Sequence, residues 1–280
     1  MLENNLQQWL KLAQIESAKG KLPSYIPLLA NANPQTIAIA ILGNNQIAGG
    51  DIHLQFPLMS VVKPFLLLYL LETLGSDLVF KLVDRQASDL PFNVIPQGKP
   101  PNPMLNCGAI AIASLLDSYI SLQIWLNQRS GANLTLDLAM LESVRSVNNR
   151  RNLAIAAQLQ NLGLIANPDQ ALATYEEICC LRGNVEDLAK IGTLLISSNI
   201  NQSLAKQHSL VLEIMAKCGI YESSAKFAQD IGLPAKSSIS GALLAIMPHQ
   251  AIACYSPALD AIGNSVAGLF LIQKIKNQAP

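Results

Sequence analysis

A serine and a lysine three residues apart, Ser60 and Lys63, form the pattern in this sequence that could do chemistry. On a helix, residues at this spacing share one face with Cβ atoms about 5–6 Å apart, so the lysine amine could act as base for a serine nucleophile. Because proline is tolerated only near the start of a helix, Pro64 predicts a helix that begins at or just before Ser60. Taken alone, S-x-x-K followed by the apolar run 65–71 is more typical of a structural helix.

Composition limits the function classes. The chain has 280 residues, half of them hydrophobic, and no formal net charge, so it can bury a large core as one sizeable domain or two closely packed ones. No Lys/Arg cluster is longer than Arg150-Arg151, which argues against a nucleic-acid partner. No apolar window reaches the roughly 18 residues of a membrane span, and the N-terminus lacks the pattern of a secretion signal. We expect a cytoplasmic protein whose partners are small molecules or copies of itself.

Cysteines and histidines suggest no cross-link and no metal. The five cysteines are odd in number, lack C-x-x-C spacing and lie mostly in apolar surroundings, as expected of reduced, buried thiols. The three histidines are far apart and form no metal-binding pair. Neither a disulfide, a metal site nor a cofactor is therefore expected.

Strand signals cluster at both ends of the sequence, and helical periodicity fills the middle. Hairpins are predicted for 35–42 with 46–49 and for 243–247 with 251–255, and terminal helices for 6–20 and 264–276. Further helices are predicted for 109–117, 136–144, 153–162, 175–181 and 185–197.

This order predicts an α+β fold, in which an antiparallel sheet built from both chain ends is flanked by helices and an all-helical region is inserted between the ends. Residues 1–64 and 231–280 would form the sheet portion and 65–230 the helical portion of one compact catalytic unit. Active sites often lie in the cleft between such halves.

Several segments together resemble the serine-dependent glutaminase family, which shares its architecture with serine β-lactamases and penicillin-binding proteins. The segments are GKLPSYIP at 20–27, SVVKP at 60–64, NPMLNCGAI at 102–110, Arg151-Asn152, Tyr175 with Cys179, CGIY at 218–221, GLPAKS at 232–237 and GNS at 263–265. They occur in the family's order across nearly the whole chain. The resemblance therefore makes a functional Ser60 the better interpretation.

The resemblance implies acyl transfer to water, in which Ser60 attacks a side-chain amide, ammonia leaves and water hydrolyses the ester. Lys63 would take the serine proton, which requires a pKa depressed from its usual value of about 10.4. Tyr221 would relay a proton, and Tyr25 is similar in its placement near the serine. Without the resemblance, each tyrosine is interpreted as a core ring with a satisfied hydroxyl.

By the same resemblance, the backbone amides of Ser60 and Ile239 would stabilise the tetrahedral intermediate. Lys236 would line one cleft wall on a strand like the family's K-S-G strand; otherwise it is a surface lysine on an edge strand. Ser238 replaces the glycine of that strand, which puts the local strand geometry in doubt.

Substrate anchoring in the family uses two asparagines and a tyrosine, matched here by Asn106, Asn152 and Tyr175. Amide side chains both donate and accept hydrogen bonds, which suits the carboxylate and amide groups of glutamine. The competing interpretation of Asn106 is a loop-capping asparagine.

Two positions depart from the family. Met59 stands where the family has a glutamine, and Arg145 stands seven residues before Asn152, where the family has a glutamate that holds the substrate's α-ammonium. If the segment is helical, Arg145 and Asn152 share one face, and like charges at 4 Å would repel by about 4 kcal/mol at a dielectric constant near 20. Glu142 could compensate or pair with Arg145, or a rotated helix could turn Arg145 to solvent.

The expected function is a glutaminase-type serine amidohydrolase acting on L-glutamine or a closely related carboxamide. The alternatives are altered substrate specificity on the same fold, a penicillin-recognising hydrolase or peptidase, and a catalytically silent metabolite-binding protein. The resemblance also implies a homo-oligomer, a dimer or a tetramer.

Overall fold

The computed structural model describes residues 2–88, 98–147, 150–196 and 202–278. Its strands are β1 (Ala38–Gly43), β2 (Gln46–Gly50), β3 (Phe56–Pro57), β4 (Thr135–Leu136), β5 (Leu181–Gly183), β6 (Ala235–Ser237), β7 (Ala242–Met247) and β8 (Gln250–Tyr255). Its helices are α1 (Leu2–Ser17), α2 (Pro27–Ala30), α3 (Lys63–Thr73), α4 (Ser76–Leu82), α5 (Asn106–Ala113), α6 (Tyr119–Ser130), α7 (Leu138–Ser146), α8 (Arg150–Asn161), α9 (Pro168–Cys179), α10 (Val185–Gly192), α11 (Ala205–Cys218), α12 (Ser224–Asp230) and α13 (Val266–Lys276).

A five-stranded antiparallel sheet joins the two ends of the chain in the order β2-β1-β8-β7-β6. Both predicted hairpins are present, since β1 pairs with β2 and β7 pairs with β8. The pairing of β1 with β8, from Ala38 opposite Tyr255 to Gly43 opposite Gln250, connects the ends directly. The α+β class and the sheet built from both ends are thus confirmed.

Both faces of this sheet are covered, which explains why β7 and β8 are almost entirely buried. On one face, Ile39 and Leu243 pack with Trp9 of α1 and Leu271 of α13. The other face belongs to a second core shared with the helical region. There α10 approaches so closely that a Cβ on Gly192 would lie 2.8 Å from the Ala251 side chain, so only glycine fits.

A small sheet, β3-β5-β4, fixes the chain just before Ser60. Phe56 pairs with Gly183, and the Leu58 N–H donates to the carbonyl of Leu181 at 2.8 Å. The Phe56 ring also stacks on Tyr255 of β8 with ring centroids 4.1 Å apart. The segment leading to Ser60 is therefore held from both sheets.

The helical region surrounds α3, whose residues Lys63 to Leu68 are all buried. The predicted helices in this region exist with shifted bounds, and residue 197, the end of the predicted helix 185–197, lies outside the described residues. For example, α9 starts at Pro168, seven residues before the predicted start, because Asn167 caps it through the N–H of Gln170. Among the described residues, no helix has the length and apolar character needed to cross a membrane. The boundaries at 64/65 and 230/231 stay a prediction.

Candidate active site

The turn that carries Ser60 runs directly into α3. Met59–Val62 form a 3₁₀ turn and α3 begins at Lys63 with Pro64 in its first turn, so the predicted helix start is close to the observed one. Side chains three residues apart eclipse on a 3₁₀ turn, which brings Ser60 and Lys63 to the same side. Both residues line one cavity of about 1020 Å³.

Two residues that line the cavity with Ser60 have a strained backbone. Met59 has φ +48° and Tyr221 has φ +50°, and they are the two described non-glycine residues in this region of conformational space. Such backbone costs about 1–3 kcal/mol and persists where the surrounding structure enforces it, often at functional sites. That both positions adjoin the cavity marks it as the site where strain is retained.

The cavity brings together nine of the eleven residues that the sequence singled out. They are Tyr25, Met59, Ser60, Lys63, Asn106, Asn152, Tyr175, Tyr221 and Ile239. Tyr25 keeps 57% of its surface exposed, whereas Met59 and Tyr175 are buried. The two that do not line the cavity are Arg145 and Lys236.

The Lys63 amine is buried without a charged partner. It is 1% exposed, and its Nζ donates to Asn106 Oδ1 at 2.7 Å and to the Met104 carbonyl at 3.1 Å. Burial lowers the pKa of Lys63 from 10.5 to about 8. A neutral amine has two N–H groups and one lone pair, so these two bonds use both donors and leave the lone pair for a proton.

Tyr221 connects the serine to the neighbouring strand. It begins a 3₁₀ turn after α11, and its hydroxyl interacts with Ser60 and lies 3.5 Å from the Ser237 carbonyl. Burial raises the pKa of Tyr221, and the interaction with Ser60 opposes that shift. No hydrogen bond joins Ser60 to Lys63 among the described side chains, so in this geometry the tyrosine is the hydroxyl's partner.

Lys236 corrects a prediction, since it neither lines the cleft wall nor lies on the surface. The side chain on β6 is fully buried, and its Nζ donates to the Gly219 carbonyl at 3.0 Å and the Ser237 carbonyl at 2.7 Å. It lies 4.4 Å from the centroid of the Tyr221 ring. Burial and, to a lesser extent, the Lys63 charge lower the pKa of Lys236. Lys236 therefore packs against the Tyr221 ring and helps to hold it in position.

Ser238 fits its position without the conformational freedom of glycine, because its φ is not in the left-handed region. Its hydroxyl donates to the Leu58 carbonyl at 2.9 Å and lies 2.9 Å from Ser240 Oγ. This bond ties the segment that carries Ile239 to the segment that carries Ser60. The presence of serine instead of glycine at position 238 therefore does not disturb the strand geometry.

The three predicted anchoring residues form one hydrogen-bonded group. Asn106 Oδ1 accepts from the Tyr175 hydroxyl at 2.9 Å as well as from Lys63, and Asn106 Nδ2 donates to Asn152 Oδ1 at 3.1 Å. They come from the starts of α5 and α8 and from α9. Asn106 therefore links the buried amine to the cavity wall.

Arg145 was expected on the same face as Asn152 if one helix carried both residues, and this condition is not met; the alternative, an Arg145 turned towards solvent, agrees with its exposure. α7 ends at Ser146, because the next residue, Val147, has an extended backbone, and Asn152 belongs to a different helix, α8. The Arg145 side chain is 44% exposed and outside the cavity, where it pairs with Glu176 at 3.1 Å and Glu177 at 3.5 Å. Glu142 is exposed and is not its partner.

Sequence reasoning missed several residues of the wall. Val144, not Arg145, faces the cavity from α7, and Glu176 faces it from α9, as does Cys179, which the resemblance included without a role. Glu176 follows Tyr175 directly, so its position next to a predicted anchoring residue was the signal that could have found it.

Comparison with known proteins decides the family. The family model described as Glutaminase matches residues 20–279. The chain belongs to the glutaminase family. The glutaminase of Synechocystis sp. is 39% identical over 95% of this chain and 86% of its own length, and that of Oceanobacillus iheyensis is 33% identical over 99% and 93%.

Solved glutaminase structures share the whole fold. The probable glutaminase ybaS superposes with a TM-score of 0.88 at 30% identity, over 98% of this chain and 96% of that chain. A probable glutaminase from Bacillus subtilis complexed with 6-diazo-5-oxo-L-norleucine superposes with a TM-score of 0.88 at 26% identity, over 99% and 95%. The glutaminase assignment therefore extends over sheet and helical region alike.

Proposed function

We propose that this glutaminase-family protein hydrolyses L-glutamine to L-glutamate and ammonia through an ester on Ser60. The observation that carries the proposal is that Ser60, Lys63 and Tyr221 line one cavity, and that the pKa of Lys63 is low enough for its amine to be neutral. A nucleophile, a base and a proton relay are the minimum set for acyl transfer from an amide. The family membership supports the same reaction class.

In the acylation step, the Ser60 Oγ attacks the side-chain carbonyl carbon and its proton passes to Lys63. With a pKa near 8, a substantial fraction of the amine is neutral at physiological pH and can accept that proton. Tyr221, whose hydroxyl interacts with Ser60, then passes a proton to the amide nitrogen as the C–N bond breaks, and the Lys63 ammonium restores the tyrosine proton, so that ammonia leaves and the ester remains. In the second step, water attacks the ester and the same groups act in reverse.

The oxyanion of each tetrahedral intermediate would be held by the backbone N–H groups of Ser60 and Ile239. Both residues line the cavity, and the Ser238 bond to Leu58 fixes their two segments relative to each other. Donors that are already in place need no reorganisation when charge develops.

L-glutamine is the proposed substrate because three residues that can hydrogen-bond an amide line the cavity next to Lys63. Asn106, Asn152 and Tyr175 offer donors and acceptors of the kind that amide and carboxylate groups require. A solved relative is described as the covalent complex of Bacillus subtilis glutaminase YbgJ with 5-oxo-L-norleucine, formed by reaction with 6-diazo-5-oxo-L-norleucine. Met59 lines the same cavity with an apolar side chain where the family has a glutamine, so the polar contacts to substrate would come from the other walls.

We further propose a homo-oligomer, a dimer or a tetramer, that acts in the cytoplasm. The five buried, unpaired cysteines are consistent with a reducing compartment. Light scattering of the purified full chain tests the oligomer, and a monomeric mass across micromolar concentrations would refute it.

Steady-state assays of ammonia and glutamate release test the reaction. The wild type is expected to turn over L-glutamine, and Ser60→Ala is expected to lose at least about a thousandfold in kcat while remaining folded. Turnover by Ser60→Ala at the wild-type rate would refute the serine mechanism. Labelling by a fluorescent penicillin would favour the penicillin-recognising alternative, and glutamine binding without turnover by the wild type would favour the silent binding protein.

A further inference from the structure

Glu176 is a buried carboxylate in the cavity wall that the proposed reaction steps do not use. Its side chain is 10% exposed and follows Tyr175 on α9. We propose that Glu176, held by Arg145, binds the α-ammonium of the amino-acid substrate. The inference rests on the proposed function, because it assigns a partner to one group of the same substrate.

The other carboxylates that line the cavity in the described part of the chain are less suited to this role. Asp260 Oδ1 already accepts from the backbone N–H groups of Ile262, Gly263 and Asn264 at 2.8–2.9 Å. Glu222 is exposed, so water screens its charge. Glu176 is buried, and a cation that binds there is screened least.

The charge around Glu176 favours a cation in spite of the nearby arginine. Arg145 approaches from outside the cavity and pairs with both Glu176 and Glu177. Two carboxylates and one guanidinium give the group of Glu176, Glu177 and Arg145 a net negative charge, although Arg150 and Arg151 also line the cavity. Because Arg145 lies outside the cavity, it can hold the Glu176 side chain through an ion pair without itself lining the substrate site.

The position of Glu176 agrees with the geometry of the reacting end. Its neighbour Tyr175 donates to Asn106, and Asn106 accepts from Lys63, so the wall formed by α9 is connected to the base by two hydrogen bonds. From α7, the residue that faces the cavity is Val144, which offers no charge to an ammonium. The carboxylate available to bind an ammonium on this side of the cavity is therefore Glu176 of α9.

Substrate discrimination tests the proposal. Glutaramate, which is glutamine without its α-amino group, keeps the amide and the carboxylate. Wild type is expected to prefer L-glutamine over glutaramate in kcat/KM by about 10- to 100-fold, as for a hydrogen bond to a charged group. Glu176→Gln is expected to lower kcat/KM for L-glutamine by about the same factor, mainly through KM, and to leave glutaramate nearly unchanged.

Glu177→Gln is the matched control, since Glu177 also contacts Arg145 but lies outside the cavity. It is expected to keep the wild-type preference. An unchanged preference in folded Glu176→Gln, or no preference in the wild type, would overturn the inference while turnover continues. Failure of the proposed function is a different result, because the wild type would then hydrolyse neither amide. If Glu176→Gln does not fold, Glu176→Asp takes its place: the shorter carboxylate side chain is expected to reduce the preference for L-glutamine, and an unchanged preference would overturn the inference.

Discussion

The Lys63 amine lies 2.7 Å from the Asn106 side-chain oxygen, and this contact defines the state of the base. An amide oxygen accepts a hydrogen bond without carrying a full charge, so it orients the amine without stabilising the ammonium as a carboxylate would. Among the described ion pairs, none involves Lys63. Burial with neutral partners is thus the physical reason for the depressed pKa.

The activity should rise with pH as Lys63 loses its proton. Because the neutral amine is the active form, kcat/KM for L-glutamine is expected to increase about tenfold per pH unit below pH 8 and to level off above it. Initial rates between pH 5.5 and 10 measure this. A profile that is flat from pH 6 to pH 9 would show that no group with this pKa controls the reaction.

Asn106→Asp should move that profile. The substitution keeps the size of the side chain and places a carboxylate against Lys63, which stabilises the ammonium and raises its pKa. The midpoint of kcat/KM is expected to shift upward by about 1–3 pH units. Asn106→Ala is the comparison, because it removes the contact without adding charge. An unshifted midpoint in Asn106→Asp would mean that Asn106 does not set the state of the base.

Replacing the buried lysine should stabilise the fold while removing activity. The pKa of Lys63 is lower in the folded state, so the unfolded chain binds more protons between pH 8 and 10.5 and wild-type stability rises with pH through that window. At pH 7 the cost is about 3 kcal/mol, which Lys63→Met is expected to recover in large part. Urea unfolding of both proteins at pH 7 to 10.5 should show the difference shrinking. A difference that is constant with pH would contradict the depressed pKa.

Ser238→Ala should loosen the link between the two proposed oxyanion donors. The loss of the bond to Leu58 is expected to cost about 1–3 kcal/mol of unfolding free energy, because a buried carbonyl loses its partner. A lower kcat with little change in KM is expected as well, since the donors act on the transition state. Thermal unfolding and steady-state rates measure the two effects. Wild-type values in both would show that this bond fixes nothing.

The sheet and the nucleophile turn could be predicted because their signals are local. Gly43-Asn44-Asn45 and Pro248-His249-Gln250 interrupt apolar runs and place the hairpins, and Pro64 limits the start of α3. The resemblance then supplied the cavity residues, and nine of eleven line it. Motif spacing is sufficient to predict structure where neighbouring residues alone determine the backbone conformation of a short segment.

Arg145, Lys236 and Glu176 could not be placed by local rules. The face of Arg145 was counted through a helix that ends at Ser146, and an interruption resets the phase of the 3.6-residue period. The burial of Lys236 depends on carbonyls of distant segments, including Gly219. Glu176 lines the cavity from α9, a helix that packs against α7. Each placement is set by tertiary contacts that spacing does not encode.

The most direct test of a serine ester mechanism is to locate the covalent label left by 6-diazo-5-oxo-L-norleucine. Peptide mapping of the labelled wild type by mass spectrometry is expected to place one adduct on Ser60, with labelling slower below pH 8 and absent in Ser60→Ala. An adduct on Cys179 or Cys218, which share the cavity, or labelling that persists in Ser60→Ala, would contradict the account.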